Sequence, residues 1–254
     1  LESAKYPAVI KADGLALGKG VIIAESFEEA KAAVRSVMEE KRFGESGSKI
    51  VIEEFLRGPE VSVLAFTDGK TVVPMVSSMD HKRALDGDLG PNTGGMGTVA
   101  PNPYYTKSIA DECMNSIFMP TVRAMCAEGR PFRGCLYFGL MLTENGPRVI
   151  EYNCRFGDPE AQVVLPLLDC DLLEVMIAVS EGRLADADVR IRDGCAACVI
   201  VASGGYPGKY ETGYEISVPE DAADSIIYAG VRASGDKIFT SGGRVLGVTA
   251  TAKT

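Results

Sequence analysis

Histidine is nearly missing from this 254-residue sequence, with His81 as its only example. Together with a single C-x-x-C, Cys195 to Cys198, that leaves a zinc centre without enough ligands. The C-x-x-C lies in the apolar run Gly194 to Ala202, which reads as a strand, and residues three apart on a strand face opposite ways. The pair is therefore expected in the core. The seven cysteines show no framework spacing and mostly sit among apolar residues, which points to reduced thiols and a cytoplasmic setting. Long hydrophobic runs are absent too: none approaches the ~20 residues that cross a bilayer, and the first residues lack a signal-peptide pattern. Basic runs are short, reaching only Lys41-Arg42 and His81-Lys82-Arg83 on a chain of formal net charge -9. Nonspecific nucleic-acid binding is thereby disfavoured, and any anion site must be built from specific residues. Internal repeats and low-complexity tracts are also lacking.

What remains is an ordinary globular composition, 46% hydrophobic and 24% charged, with enough chain for one large domain or two smaller ones. Pro7–Lys11 and Val21–Ala24 read as strands around a glycine-rich turn. Ser26 with Glu29 forms a capping box that starts a helix. Residues 49–55, 60–66 and 71–76 read as strands, the last two as a hairpin at Asp68-Gly69. Residues 77–104 read as loop. A helix with apolar positions from Ala110 to Met125 is expected to kink at Pro120. A second hairpin turns at Asn145-Gly146, joining 134–143 to 147–153. A helical region follows from Asp158 to about Gly182, then a charged linker at 181–193. Further strands are expected near 195–203, 215–218, 226–233 and 244–250. The pattern is α+β.

Four segments carry chemistry. Glu151 and Asn153, with Arg155, alternate onto one face if the strand continues, and the first two lie about 7 Å apart at their bases. Two oxygen ligands so placed suit a hard cation that completes its shell with phosphates, though a solvated strand end fits that short motif as well. Lys11 to Gly20 contains Gly14, Gly18, Lys19 and Gly20, yet it matches neither the P-loop nor the dinucleotide fingerprint. It joins two strands as a flap would, or as a plain glycine-rich hairpin. Glu53-Glu54-Phe55-Leu56 ends a strand before Glu60 begins another, offering backbone and carboxylate groups to a nucleoside. Asp80-His81-Lys82-Arg83 and Pro91-Asn92-Thr93-Gly94-Gly95-Met96-Gly97 bring cations and glycine amides into one long loop, suiting a small anion.

In this order, the flap, the E-E-F-L hinge and the late E-x-N pair resemble the ATP-grasp superfamily. D-H-K-R, P-N-T-G-G-M-G, N-C-R-F-G-D-P-E and A-S-G-G-Y-P-G-x-Y (202–210) narrow the resemblance to the phosphoribosylamine–glycine ligase family, across essentially the whole chain. The resemblance implies an ATP-grasp fold, a small lid subdomain plus a larger antiparallel-sheet subdomain, then part of a β-rich C-terminal domain. It sets boundaries at 1–66, 67–190 and 191–254.

It also implies an activity: ATP-dependent ligation of glycine to 5-phosphoribosylamine through a glycyl phosphate, in purine synthesis. By the same resemblance, Lys11 and Gly14, Gly18, Lys19 and Gly20 cover the ATP phosphates. Glu53, Glu54, Phe55 and Leu56 line the adenine pocket, and Glu60 meets the ribose. Glu151 and Asn153 hold Mg²⁺ or Mn²⁺, Arg155 and Asp158 adjoin the reacting phosphate, and Asp80, Lys82, Thr93 and Gly94 meet glycine or phosphoribosylamine. The partners implied are these small molecules, with no nucleic acid or membrane, and fusion to further purine-pathway domains is compatible with the resemblance. The family carries an N-terminal domain ahead of the position of Leu1 and more chain after 250. The sequence is therefore expected to be a fragment with little ATP binding or turnover of its own. Two alternatives stay open: another ATP-grasp carboxylate ligase, and a non-catalytic nucleotide-binding module.

Overall fold

A computed structural model describes residues 1–16 and 20–253. They divide into two compact units, 1–57 and 58–254.

The smaller unit is an antiparallel sheet of β1 (Ala8–Ala12), β2 (Val21–Ala24) and β3 (Ile50–Glu54), with β1 in the centre. Helix α1 (Phe27–Val34) begins where the capping residues place it: the Ser26 hydroxyl accepts from the Glu29 amide at 3.3 Å. Ile10 and Ala24 pack with Ala30 and Ala33 of α1 to form the core of this unit. Strand alternation then leaves Lys11, Val21, Ile23, Val51 and Glu53 on the other face.

The larger unit opens with β4 (Glu60–Thr67) and β5 (Val72–Pro74), the expected hairpin. The expected loop 77–104 instead carries β6 (Met79–Asp80), β7 (Arg83–Leu85), β8 (Leu89–Asn92) and β9 (Gly97–Ala100). These strands escape a local reading because β9 finds its partner about a hundred residues downstream, at Ala196–Val199. Next come α2 (Lys107–Cys113) and α3 (Met119–Ala127), joined by a π-helical turn at Met114–Phe118. That wide turn immediately precedes Pro120, so the missing amide falls in the first turn of α3, where it costs least.

Strands β10 (Gly134–Thr143) and β11 (Gly146–Asn153) form the second hairpin. The expected helix from 158 to 182 is broken into α4 (Ala161–Val164), a 3₁₀ turn containing Pro166, and α5 (Leu172–Glu181). Asp171 caps α5, accepting from the Leu173 amide at 2.8 Å, and Gly182 ends it at φ +75°. The chain continues through β12 (Cys195–Ala202), β13 (Glu215–Ile216), β14 (Ile226–Tyr228), β15 (Val231–Ser234), β16 (Lys237–Thr240) and β17 (Arg244–Ala252). The single strand expected at 226–233 is split at Gly230, where an added Cβ would lie 2.4 Å from the Arg244 carbonyl oxygen. β16 lies between the expected strands 226–233 and 244–250.

Two sheets matter for the site, one ordered β11-β10-β4-β5 and the other β14-β17-β12-β9-β6. One face of the first packs Val61, Val63, Phe138 and Leu140 against Phe118 and Val122 of the helical layer. Its other face packs Leu64, Phe66 and Tyr137 with α4, α5 and β12. Residues 60–66, expected with the lid, are β4 here, and both ladder partners of β4 belong to the larger unit. All seven cysteines are free thiols, Cys198 being buried and Cys195 half-buried. No helix among the described residues is long and apolar enough to cross a membrane.

Candidate active site

Register places the polar residues of the larger unit. Across the first sheet, Ser62 on β4 pairs with Gly139 on β10, and Gly139 pairs with Glu151 on β11. The next row is Leu64, Tyr137 and Asn153. Leu64 and Tyr137 belong to the core that includes α4 and α5, so Ser62, Glu151 and Asn153 share that face by alternation. Gly139 leaves room there: a Cβ on it would come within 3.0 Å of Glu151 Cγ.

Asn153 Nδ2 donates to Glu151 Oε1 at 3.4 Å, so the two expected metal ligands are neighbours. A half-turn of the amide presents its oxygen instead, giving two hard oxygen donors side by side. No three His, Cys, Asp or Glu side chains converge as a metal cage among the described residues. A cation at this pair would therefore draw its remaining ligands from water or substrate oxygens, as Mg²⁺ and Mn²⁺ do. Arg155 lies beyond the end of β11, so the alternation expected to carry it onto this face stops at Asn153. Its Nη1 donates to the Phe156 carbonyl at 2.8 Å.

Lys82 donates to Glu60 at 2.7 Å, joining the D-H-K-R segment to the start of β4. Burial alone would lower the Lys82 pKa, but Glu60, then Glu151 and Asp80, outweigh it and raise it. Thr93 is fixed next to Lys82, its amide and hydroxyl both donating to the Lys82 carbonyl at 2.7 and 2.9 Å. Asp80 ends β6 with its carboxyl pushed up to about 7, chiefly by burial and then by the charge of Glu160. Its Oδ1 is buried without a hydrogen-bond partner. Gly95 closes over it, since a Cβ there would lie 2.6 Å from that oxygen.

Three residues outside the expected set organise this region. Glu160 is 4% exposed and accepts from the Tyr137 hydroxyl at 3.0 Å, which itself lies 2.7 Å from Ser62 Oγ. Burial, then Glu160, drives the Tyr137 pKa far upward. Arg244 of β17 reaches Asp158 and Gly94, and Tyr206 reaches Gly94 as well. The trace of Glu160 in the sequence is its place at the end of G-D-P-E. Arg244 and Tyr206 lie too far along the chain for any local pattern to connect them with it.

In the smaller unit, Lys11 is a strand residue that forms an ion pair with Glu53 at 2.6 Å. Val21, Ile23 and Val51 surround that pair and are each at least 40% exposed, an apolar sheet face with one cation and one anion on it. Glu54 ends β3, Phe55 lies under the Arg57 guanidinium at 5.0 Å, and Leu56 is half-buried. Gly14 donates to the Ser46 carbonyl at 3.0 Å and admits no side chain, because a Cβ would sit 2.6 Å from Ser46 Cα. The Gly20 carbonyl accepts from Ala12 at 2.9 Å. Gly18 and Lys19 lie outside the described residues.

Comparison with known proteins bears on what such a site does. The family model of the phosphoribosylglycinamide synthetase ATP-grasp (A) domain matches residues 1–161, and that of the C domain of the same synthetase matches 196–254. The phosphoribosylamine–glycine ligase of Clostridium acetobutylicum is 48% identical over 97% of this chain and 59% of its own length. The trifunctional purine biosynthetic protein adenosine-3 of Bos taurus is 53% identical over 98% of this chain and 25% of its own. Among solved structures, phosphoribosylamine–glycine ligase from Thermotoga maritima superposes with a TM-score of 0.83 at 37% identity, covering 100% of this chain and 63% of that one. A biotin carboxylase from Campylobacter jejuni shares the fold at a TM-score of 0.71 and 17% identity. The chain thus spans about three-fifths of its bacterial ligase relative and a quarter of the bovine one.

Proposed function

The chain belongs to the phosphoribosylglycinamide synthetase family and has its ATP-grasp fold, and from that premise we propose that the whole protein joins glycine to 5-phosphoribosylamine at the expense of ATP. The observation that carries the reading is the Glu151–Asn153 oxygen pair, on a sheet face that also presents Ser62 and lies within electrostatic reach of Lys82.

In this reading glycine's carboxylate takes the γ-phosphoryl group of ATP, releasing ADP. The amine of phosphoribosylamine then attacks the acyl carbon, phosphate leaves, and a proton is lost from nitrogen. Glu151 and Asn153 would hold Mg²⁺ or Mn²⁺, which when bound neutralises charge on the transferring phosphoryl group. Lys82 and Arg155 contribute fixed positive charge near the substrates, and Asp158 orients them. Asp80, Thr93 and Gly94 form the wall that meets glycine or phosphoribosylamine. Lys11 with Gly14, Gly18, Lys19 and Gly20 would cover the nucleotide phosphates. Glu53, Glu54, Phe55 and Leu56 would serve the adenine, with Glu60 serving the ribose. The exposed apolar face around Lys11 and Glu53 supports that assignment, because it offers a nucleobase a flat surface and a phosphate a cation. Division into a lid, a central subdomain that takes in β4, and a C-terminal part from 191 belongs to the same reading, supported at its last boundary by the C-domain match from residue 196. Unpaired thiols support a cytoplasmic location.

Glycine-stimulated ADP release in the whole protein tests the proposal. Glu151→Ala should lower it at least on the order of 100-fold at saturating Mg²⁺ or Mn²⁺, with circular dichroism unchanged. Near-normal turnover in that variant, or stimulation by bicarbonate in place of glycine, would refute it.

A further inference from the structure

Arg244 stands well away from the other site residues in sequence, yet three oxygens converge on its guanidinium. Its Nη1 donates to the Gly94 carbonyl at 2.7 Å and to the Asp158 carbonyl at 2.9 Å, while Nη2 meets Asp158 Oδ2 at 3.1 Å. The guanidinium packs against Gly94, where an added Cβ would sit 3.1 Å from both Cζ and Nε. The preceding peptide unit is held as well, since the Gly94 amide donates to the Tyr206 hydroxyl at 2.9 Å. Tyr206 and Arg244 are themselves set together. The tyrosine ring rests on Gly243, where a Cβ would overlap it, and the Ser203 amide donates to the Gly243 carbonyl at 2.8 Å.

We propose that Arg244 and Tyr206 are positioning residues, which fix the Thr93–Gly95 loop and the Asp158 turn in one arrangement, so that the 196–254 region completes the substrate pocket. The inference rests on the ligase reading for its functional half only. Its physical basis is the planar fork of arginine. One guanidinium satisfies two carbonyls and a carboxylate at fixed angles, which a lysine ammonium does not reproduce. Asp158 keeps its other oxygen on Gln162 Nε2 at 2.9 Å, so losing Arg244 frees only the side of Asp158 that faces the loop.

Arg244→Lys and Tyr206→Phe, made in the whole protein, test this through two readouts. Tyr206→Phe retains the ring and removes only the acceptor, so Gly94 amide exchange should rise about tenfold while Val199 in β12 stays protected. Arg244→Lys should lower kcat/KM for glycine and phosphoribosylamine on the order of 100-fold, with the KM for ATP within about twofold of its original value. Unchanged Gly94 exchange in Tyr206→Phe overturns the proposal, and so does loosened exchange with unchanged kcat/KM in both variants. Should Arg244→Lys fail to fold, Tyr206→Phe decides alone. Absence of glycine-stimulated ADP release before any substitution would count against the ligase reading, while amide exchange would still decide the positioning.

Discussion

Asp80 is where the chemistry of a single residue is most exposed to test. Burial of its carboxyl is the largest influence, the charge of Glu160 the second, and Lys82, Glu60 and Arg244 make smaller contributions of both signs. The outcome is a group protonated up to about pH 7 in the folded protein, whereas in the unfolded chain it ionises near its ordinary value of 3.8. Between those values the native state holds the extra proton, so the contribution of Asp80 to stability is present at low pH and is lost as pH rises toward 7. Asp80→Asn keeps the shape and removes the titration. After allowance for solvent screening, the variant should gain about 1–3 kcal/mol relative to the original protein between pH 4 and pH 8. Urea denaturation at both pH values measures this, and an equal difference between the two proteins at pH 4 and pH 8 would contradict it.

At the scale of elements, the β10–β11 hairpin shows how an irregularity aims a side chain. Gly139 pairs with Glu151 but Leu140 pairs with Val149, so Ile150 is an extra residue, a β-bulge. Above the bulge Glu151 and Asn153 share the face of Ser62 and Tyr137, while below it Val149 packs on the helical core with Leu140. Uninterrupted alternation would put Val149 on the same face as Glu151, wasting its apolar surface on the site. The bulge lets one strand serve both faces. Gly139 supplies the space beside it, and its conformation admits an L-residue, so Gly139→Ala should push the Glu151 side chain aside without unfolding the sheet. Affinity for Mn²⁺ should weaken about tenfold, with stability changed by less than about 1 kcal/mol. Calorimetric titration with Mn²⁺ checks this, and unchanged affinity would remove Gly139 from the account.

The molecule as a whole divides its stability unevenly. Residues 1–57 bury Ala8, Ile10, Ala24, Ala30, Ala33 and Val37, four of them alanines, whereas the larger unit encloses two clusters rich in Phe, Leu and Val. A piece of that size with so little apolar burial is marginal by itself. Hydrogen exchange should therefore find the amides of Ile10 and Ile22 opening through a transition of lower free energy than those of Leu64 and Phe138. Equal protection in both units would show that they unfold together.

Local physics made much of this legible in the residues. Capping at Ser26, turns at Asp68-Gly69 and Asn145-Gly146, and the apolar runs of β4 and β10 depend on neighbours within a few positions. So does the closeness of Glu151 to Asn153, two apart on one strand. By itself the sequence thus determined most of the early elements, the oxygen pair and the family resemblance carried by its motifs. Pairing between distant segments decided the rest. β9 becomes a strand only against β12, and Arg155 leaves the shared face because β11 ends before it. The bulge at Ile150 shows only in register with β10. Asp80 acquires its raised pKa from burial first and then from Glu160, eighty residues away, and Arg244 meets Asp158 and Gly94 only once β17 is laid beside β12. Such contacts depend on which strands close against which, a choice made by burial over the whole chain, and no window of neighbouring residues contains it.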